Sequence, residues 1–435
     1  MRISSVIDAT KRYAIVTSLF LAPLCGSADC DEPGAQDQSG ADPAAAAPVS
    51  PYAGDFCTRA FLTGDWCGER TCLAANGITF FGDLTQYYQG VAHGGRDERF
   101  VYGGRGDYLI DLDFGKLGLM KGGFLDIRGE STFGQNVNPF GGTVSPANVG
   151  MLFPFPDDDV TALTGLQYTQ FLSEDFAVFV GKLNLLDGTP ATYSQGLRLN
   201  KFFNTSFAFN FAALFVPPMT LGAGFVKLCE GEPALTFMVL DTHYTPTTSG
   251  FDDLFDNGVV LYGQAQIKVD CCGKPGHQGL GFVYSNADRL DLEPNWFAIL
   301  PPNPGTVFTT KDNTWTVAYN FDQVVSVDPC NPQRNWALTG MAGISDGNPN
   351  PCRWFLNLAL MGNGPITCRP QDSVGLGYYH FGTTDQGIVD TLGFEAEDGV
   401  ELYYNYAVTP WFHVTPDIQV IDPSNQRNEI GRAHV

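Results

Sequence analysis

Polar side chains recur at every second position in several short stretches of this sequence. Asp126, Arg128 and Glu130 form one such row, Tyr262, Gln264, Gln266 and Lys268 a second, and Glu401, Tyr403 and Asn405 a third. Lys182 and Asn184 form a shorter pair. The residues between them are mostly apolar, such as Leu261 and Ile267, or Val400, Leu402 and Tyr404. A period of two sends successive side chains to opposite faces of a strand. Hydroxyl, amide, carboxylate and ammonium groups held in line on one face can hydrogen-bond a passing polar solute without reacting with it. The signatures of reaction chemistry are missing: there is no G-x-S-x-G, no H-E-x-x-H and no phosphate-binding glycine loop. The reading is therefore a channel-like surface and not an enzyme, with no cofactor and no metal. Carboxylate pairs are numerous, so a secreted β-rich glycan-binding protein or hydrolase is the alternative from another class.

The elements that position these rows follow from composition. Only 16% of the 435 residues are charged, 13% are aromatic and 50 are glycine. A net charge of −23 argues against nucleic acid as a partner. Arg2, Lys11 and Arg12, the apolar stretch from Tyr13 to Cys25, and Gly26-Ser27-Ala28 read as an export signal over residues 1–28. Residues 29–53 are an acidic Pro/Ala-rich linker that is expected to be disordered. Beyond the signal no apolar run reaches the ~18–20 residues of a membrane helix. An exported chain of this kind is soluble or crosses a membrane as a β-barrel.

From residue 78 to 424 the alternation predicts fifteen strands of about ten residues, the length that crosses a bilayer at a tilt. Among them are strands at 106–114, 279–287 and 315–322. The connections alternate between short and long, as in outer-membrane barrels with short periplasmic turns and longer external loops. The 346–352 turn is the strict exception. That parity leaves residues 54–77 in the periplasm and the fifteenth strand running outward. One more strand is needed to close the sheet, because an unpaired edge is not tolerated in lipid. The expected fold is an all-β transmembrane antiparallel barrel, with sixteen strands in the complete protein and the last missing here. Residues 425–435 have no strand pattern and read as a non-native or truncated tail.

Three motifs carry a resemblance. GDWCGERTCLAANG (64–77) resembles the opening of the carbohydrate-selective porins of the OprB type, with Gly64, Asp65, Trp66, Gly68, Arg70, Leu73 and Gly77 matching. VGKLNLLD (180–187) is similar to that family's glycine-lysine segment, and ELYYNYAVTPWFHVTPDIQVIDP (401–423) to its ending. The resemblance implies a sixteen-stranded barrel in the outer membrane of a Gram-negative-type bacterium that passes small carbohydrates by diffusion. A general or cation-preferring porin is the alternative within that class. The partners are then small carbohydrates and outer-membrane lipid, and a monomer and a homotrimer both fit.

In such a barrel the apolar phase meets lipid and the polar rows above line the lumen. The stretch 185–219 ends in NKFFNTSFAFNFAALFVPP, too apolar to extend into water, and is expected to fold inward as a constriction. The acidic excess disfavours anions and suits neutral sugars or cations. Many acids sit in loops, among them Asp157–Asp159. Export permits disulfides. Cys57, Cys67 and Cys72 fall in the N-terminal segment, and Cys229, Cys271, Cys272, Cys330 and Cys368 in periplasmic turns. They are expected to form rim disulfides whose pairing the sequence does not fix.

Overall fold

The computed structural model describes the backbone of residues 14–18 and residues 50, 52–154, 159–186, 201–293 and 309–424. Most of the export signal and linker, Asp157 and Asp158, and the 425–435 tail lie outside the described residues.

Fifteen long strands follow one another. The first five are β1 (Ile78–His93), β2 (Phe100–Asp113), β3 (Gly123–Gly134), β4 (Val160–Ser173) and β5 (Phe176–Asn184). Next come β6 (Met219–Cys229), β7 (Glu232–Asp241), β8 (Val259–Cys271), β9 (Lys274–Ser285) and β10 (Thr314–Asp328). The last are β11 (Asn331–Ser345), β12 (Cys352–Asn363), β13 (Ser373–Thr383), β14 (Glu397–Thr409) and β15 (Phe412–Val414 with Asp417–Asp422). Each pairs antiparallel with its neighbour in sequence. A five-residue strand, Ala14–Ser18, pairs with both β15 and β1 and so takes the seam between them. The sixteenth place, expected to be empty, is thus filled by residues from the N-terminal region.

Burial is inverted relative to a soluble protein. Along β14, Glu401 is 0% exposed and Leu402 46%, and Tyr403 and Asn405 are buried while Tyr406 and Val408 are exposed. Leu280 on β9 and Leu376 on β13 are likewise exposed. Apolar side chains on the outer face suit lipid, which costs them nothing to meet, and polar ones turn inward. This is an all-β antiparallel barrel.

Several boundaries differ from the sequence reading, three of them by the most. β2 starts at Phe100 because Gly103, Gly104 and Gly106 lie within the strand instead of breaking it; a Cβ on Gly104 would stand 2.4 Å from the Phe133 ring. β9 starts at Lys274, with Pro275 tolerated at the strand's beginning. β10 runs on to Asp328, which leaves a two-residue turn where a longer connection was expected. Two hairpin turns have both central residues at positive φ: Glu230-Gly231 (54° and 81°) and Cys272-Gly273 (56° and 73°). That is the geometry whose twist matches the flanking strands.

No disulfide joins the cysteines among the described residues: all nine carry free thiols, eight exposed and Cys352 buried. Geometry gives the reason for the turn cysteines. Successive short turns lie two strands apart, about 10 Å, whereas a disulfide needs Cα atoms within about 7 Å.

The N-terminal segment docks across the short-turn end. Arg70 lies between the rings of Tyr52 and Phe61, 4.2 and 4.1 Å from their centroids, and donates to the carbonyl of Phe80 on β1 at 2.7 Å. Asp65 accepts from the backbone N–H and hydroxyl of Thr71 at 2.9 and 2.7 Å, fixing the turn into the helix Glu69–Ala75. Gly64, Gly68 and Gly77 hold left-handed φ of 63°, 98° and 92°. The spacing of this motif is thus set by the folded segment that packs against β1. Trp411, in the β14–β15 turn, completes the contact by donating to the Phe56 carbonyl at 2.8 Å.

Candidate functional site

One side of the barrel interior is filled by chain that turns inward between β5 and β6. The wall strands leave room for it. β13 presents Gly375 and Gly377 inward, and a Cβ on Gly377 would stand 2.4 Å from the Phe207 ring, one on Gly375 2.8 Å from Phe202. Into that socket Phe202 and Phe207 stack on each other at 4.3 Å, with Phe202 edge-on to Tyr403 at 4.9 Å. Phe211 packs edge-on against Phe381 at 5.4 Å. The result is one apolar cluster shared by loop and β11–β14. Short helical turns at Thr205–Ala208 and Phe211–Ala213 keep the loop compact, each started by an asparagine, Asn204 and Asn210, that accepts from a backbone N–H.

Two buried carboxylates tie loops to this wall. Glu401 accepts from the backbone N–H groups of Phe203 and Asn204. Glu397, two strand repeats away on the same face, accepts from Val144 at 2.7 Å and Ser145 at 2.9 Å in the β3–β4 connection, and from the Tyr379 hydroxyl at 3.0 Å. The two loops then bond to each other: the Ser145 hydroxyl donates to Asn204 Oδ1 at 2.7 Å. Gln419 on β15 donates to the Ala147 carbonyl at 2.8 Å. Asn357 on β12 donates to the Ser206 carbonyl at 2.6 Å. Loop carbonyls and N–H groups that could not stay unpaired in a barrel interior are therefore met by wall side chains. Lys201, at the start of the described loop, is half-buried; burial pushes its ammonium down to about 8 against the attraction of Asp322.

A second network braces β2 and β3. Arg105 grips Asp107 with two bonds, 2.9 and 2.6 Å, and donates to the Gly150 carbonyl at 3.0 Å. Arg128 bridges Glu130 at 2.6 Å and Asp107 at 2.9 Å. All four side chains are buried, and their charges cancel.

Between the inward loop and the opposite wall, β4 to β10, lies a cavity of about 670 Å³. The loops contribute Leu152, Phe153, Phe209, Asn210, Leu214 and Val216. The wall contributes Gln167, Phe179, Asn184, Tyr262, Gln264 and Asn320. None of the described residues lining it carries a formal charge. The surface is aromatic and aliphatic, with amides, two phenols and threonine hydroxyls interspersed.

The residues singled out by spacing separate into five groups. Asn184, Tyr262 and Gln264 line the cavity. Arg128 and Glu130 are locked in the ionic network, with Asp126 two residues along the same strand, half-buried. Glu401 and Tyr403 lie under the loop and hold it, away from the cavity lining. Lys268 pairs with Glu232 at 3.1 Å near the short-turn rim, where His277 joins Glu232 to Asp322, and Gln266 lies half-buried between Gln264 and Lys268. Lys182 does not line the cavity. It stands opposite Leu166 and Leu221 in the ladder, and its ammonium is enclosed by the carbonyls of Leu163, Pro246 and Thr248 at 2.8, 3.0 and 2.8 Å. It anchors the β7–β8 loop. Spacing missed Arg105, Asp107, Glu397, Phe153 and Phe179. The alternation Glu397-Gly399-Glu401 carried the signal for Glu397.

Comparison with known proteins agrees with this geometry. The family model described as carbohydrate-selective porin, OprB family, matches residues 97–435. Porin B of Pseudomonas aeruginosa is 27% identical over 194 residues, which is 39% of this chain and 41% of that protein. The high-pH structure of Pseudomonas putida OprB superposes with a TM-score of 0.73 at 21% identity, covering 86% of this chain and 96% of that one.

Proposed function

Because the chain belongs to the OprB family of carbohydrate-selective porins, we propose that its narrowed lumen lets small neutral carbohydrates diffuse passively into the periplasm. The protein is an outer-membrane β-barrel. The observation that carries the reading is the uncharged, aromatic-and-amide cavity beside an inward loop. Sugars have apolar ring faces and hydroxyl edges, and a passage must touch them weakly enough to let them leave. The described residues lining the cavity include no carboxylate, so they offer a cation no ionic partner.

Swelling of proteoliposomes in isosmotic solutes tests this. Arabinose, glucose and maltose should enter at rates that fall with size, and glucuronate and glucosamine more slowly than glucose by about tenfold. Equal rates for charged and neutral solutes of one size would make it a general diffusion porin. No swelling at all would overturn the channel.

We also propose that residues 1–28 direct export. That segment contains the Ala14–Ser18 strand, so cleavage at Ala28 would remove it from the seam. N-terminal sequencing of the membrane-extracted protein should begin at Asp29; a start at Met1 would leave the short strand as the native closure.

A further inference from the structure

We infer that, among neutral carbohydrates, this cavity favours those with an apolar substituent or a missing hydroxyl, such as aryl glycosides and deoxysugars, over fully hydroxylated hexoses. The inference rests on the porin reading and sharpens its substrate class. It comes from which surfaces of the cavity are already occupied. Several of the polar side chains facing it already have partners in the wall or the loop. Asn210 donates to the Ala342 carbonyl at 2.8 Å and accepts from Ala212 at 3.1 Å. Asn184 donates to Glu130 at 3.1 Å and accepts from Leu186 at 3.1 Å. Gln264 takes the Tyr262 hydroxyl at 2.5 Å, and Gln167 donates to Thr169 at 3.1 Å.

The apolar groups are in the opposite condition. Leu214 is 46% exposed although it faces the barrel interior. Phe153, Phe179, Phe209 and Val216 are each only partly covered. Phe153 meets Tyr244 and Phe209 edge-on, at 6.2 and 6.1 Å, so these rings are not stacked face to face. A solute entering here sheds water. Each hydroxyl that finds no replacement partner carries a desolvation cost, whereas each apolar patch that covers these side chains is a gain. A hexose with hydroxyls all round is the poorer match. A ring that has lost a hydroxyl, or that carries a phenyl group, is the better one.

Sugar block of the ion current through single channels in planar bilayers measures this. Phenyl β-glucoside should half-block at a concentration about tenfold below that for glucose, and 6-deoxygalactose severalfold below that for galactose. In Phe209→Gln the phenyl-to-plain ratio should fall toward one while open-channel conductance stays within about twofold. Should that variant fail to insert, the deoxygalactose-to-galactose ratio on the unaltered protein decides alone. Half-block by galactose and glucose at concentrations equal to or below those of their deoxy and phenyl counterparts would overturn the inference and leave the porin standing. Channels that no sugar blocks, in liposomes no sugar enters, would remove both.

Discussion

Glu401→Ala is expected to widen the channel: single-channel conductance should rise about twofold or more, the open current should become noisy, and discrimination between neutral and charged sugars should fade. The reason lies in what Glu401 holds. Its carboxylate is 0% exposed and takes the N–H groups of Phe203 and Asn204 in the loop that forms one side of the cavity. Removing it leaves two buried donors unmatched, at about 1–3 kcal/mol each. The loop has other anchors, chiefly the Phe202 and Phe207 socket and the Asn357 bond to Ser206. But it is a loop, ordered against a backbone entropy of about 1–2 kcal/mol per residue, and such segments open at free energies well below that of global unfolding. A loss of about 2–6 kcal/mol is enough to populate states with the loop swung off the wall. Glu401→Gln keeps one acceptor oxygen and should be milder. Val400→Ala, on the lipid face of the same strand, should leave the current unchanged. An unaltered current in Glu401→Ala would show that the aromatic socket alone sets the width.

Asp107→Ala should lower the stability of the barrel by about 3–5 kcal/mol, the usual cost of taking one partner from a buried ionic network. Asp107 receives Arg105 twice and Arg128 once, and without it two guanidinium groups share Glu130 alone. Unfolding in urea from lipid vesicles, followed by tryptophan fluorescence, gives the number. Asp83→Ala or another change confined to a less buried wall acid should cost far less. A shift below about 1 kcal/mol, the range of exposed pairs, would mean that water reaches the network and screens it.

These two sites also mark where the sequence speaks and where it falls silent. Period-two alternation located all fifteen strands, and their lengths and turn parity indicated a membrane barrel. The apolarity of the segment ending in NKFFNTSFAFNFAALFVPP announced that it folds inward. The socket was not legible, because glycine at 375 and 377 reads locally as a weak strand, and only the loop opposite explains it. Glu401 and Tyr403 were legible as inward-facing but not as loop anchors; which backbone groups come to lie over a strand is a property of the whole ring. Arg105 was hidden by the glycines around it, which look like a loop although Gly104 and Gly106 are positions where neighbouring rings lie close, and Asp107, legible on a strand, gave no sign of its two arginine partners. Lys182 shows the reverse error: polar and alternating, it serves a loop and not the lumen. The cysteines suggested a framework because export permits one, but the spacing of barrel turns keeps neighbouring turn thiols out of reach.

The measurement that bears most directly on the account is the current through single channels of the purified protein as glucose is raised step by step. Discrete openings whose current falls saturably, with half-block in the millimolar range, are the predicted result. Openings that glucose leaves untouched at any concentration, or a membrane that never conducts, would contradict it.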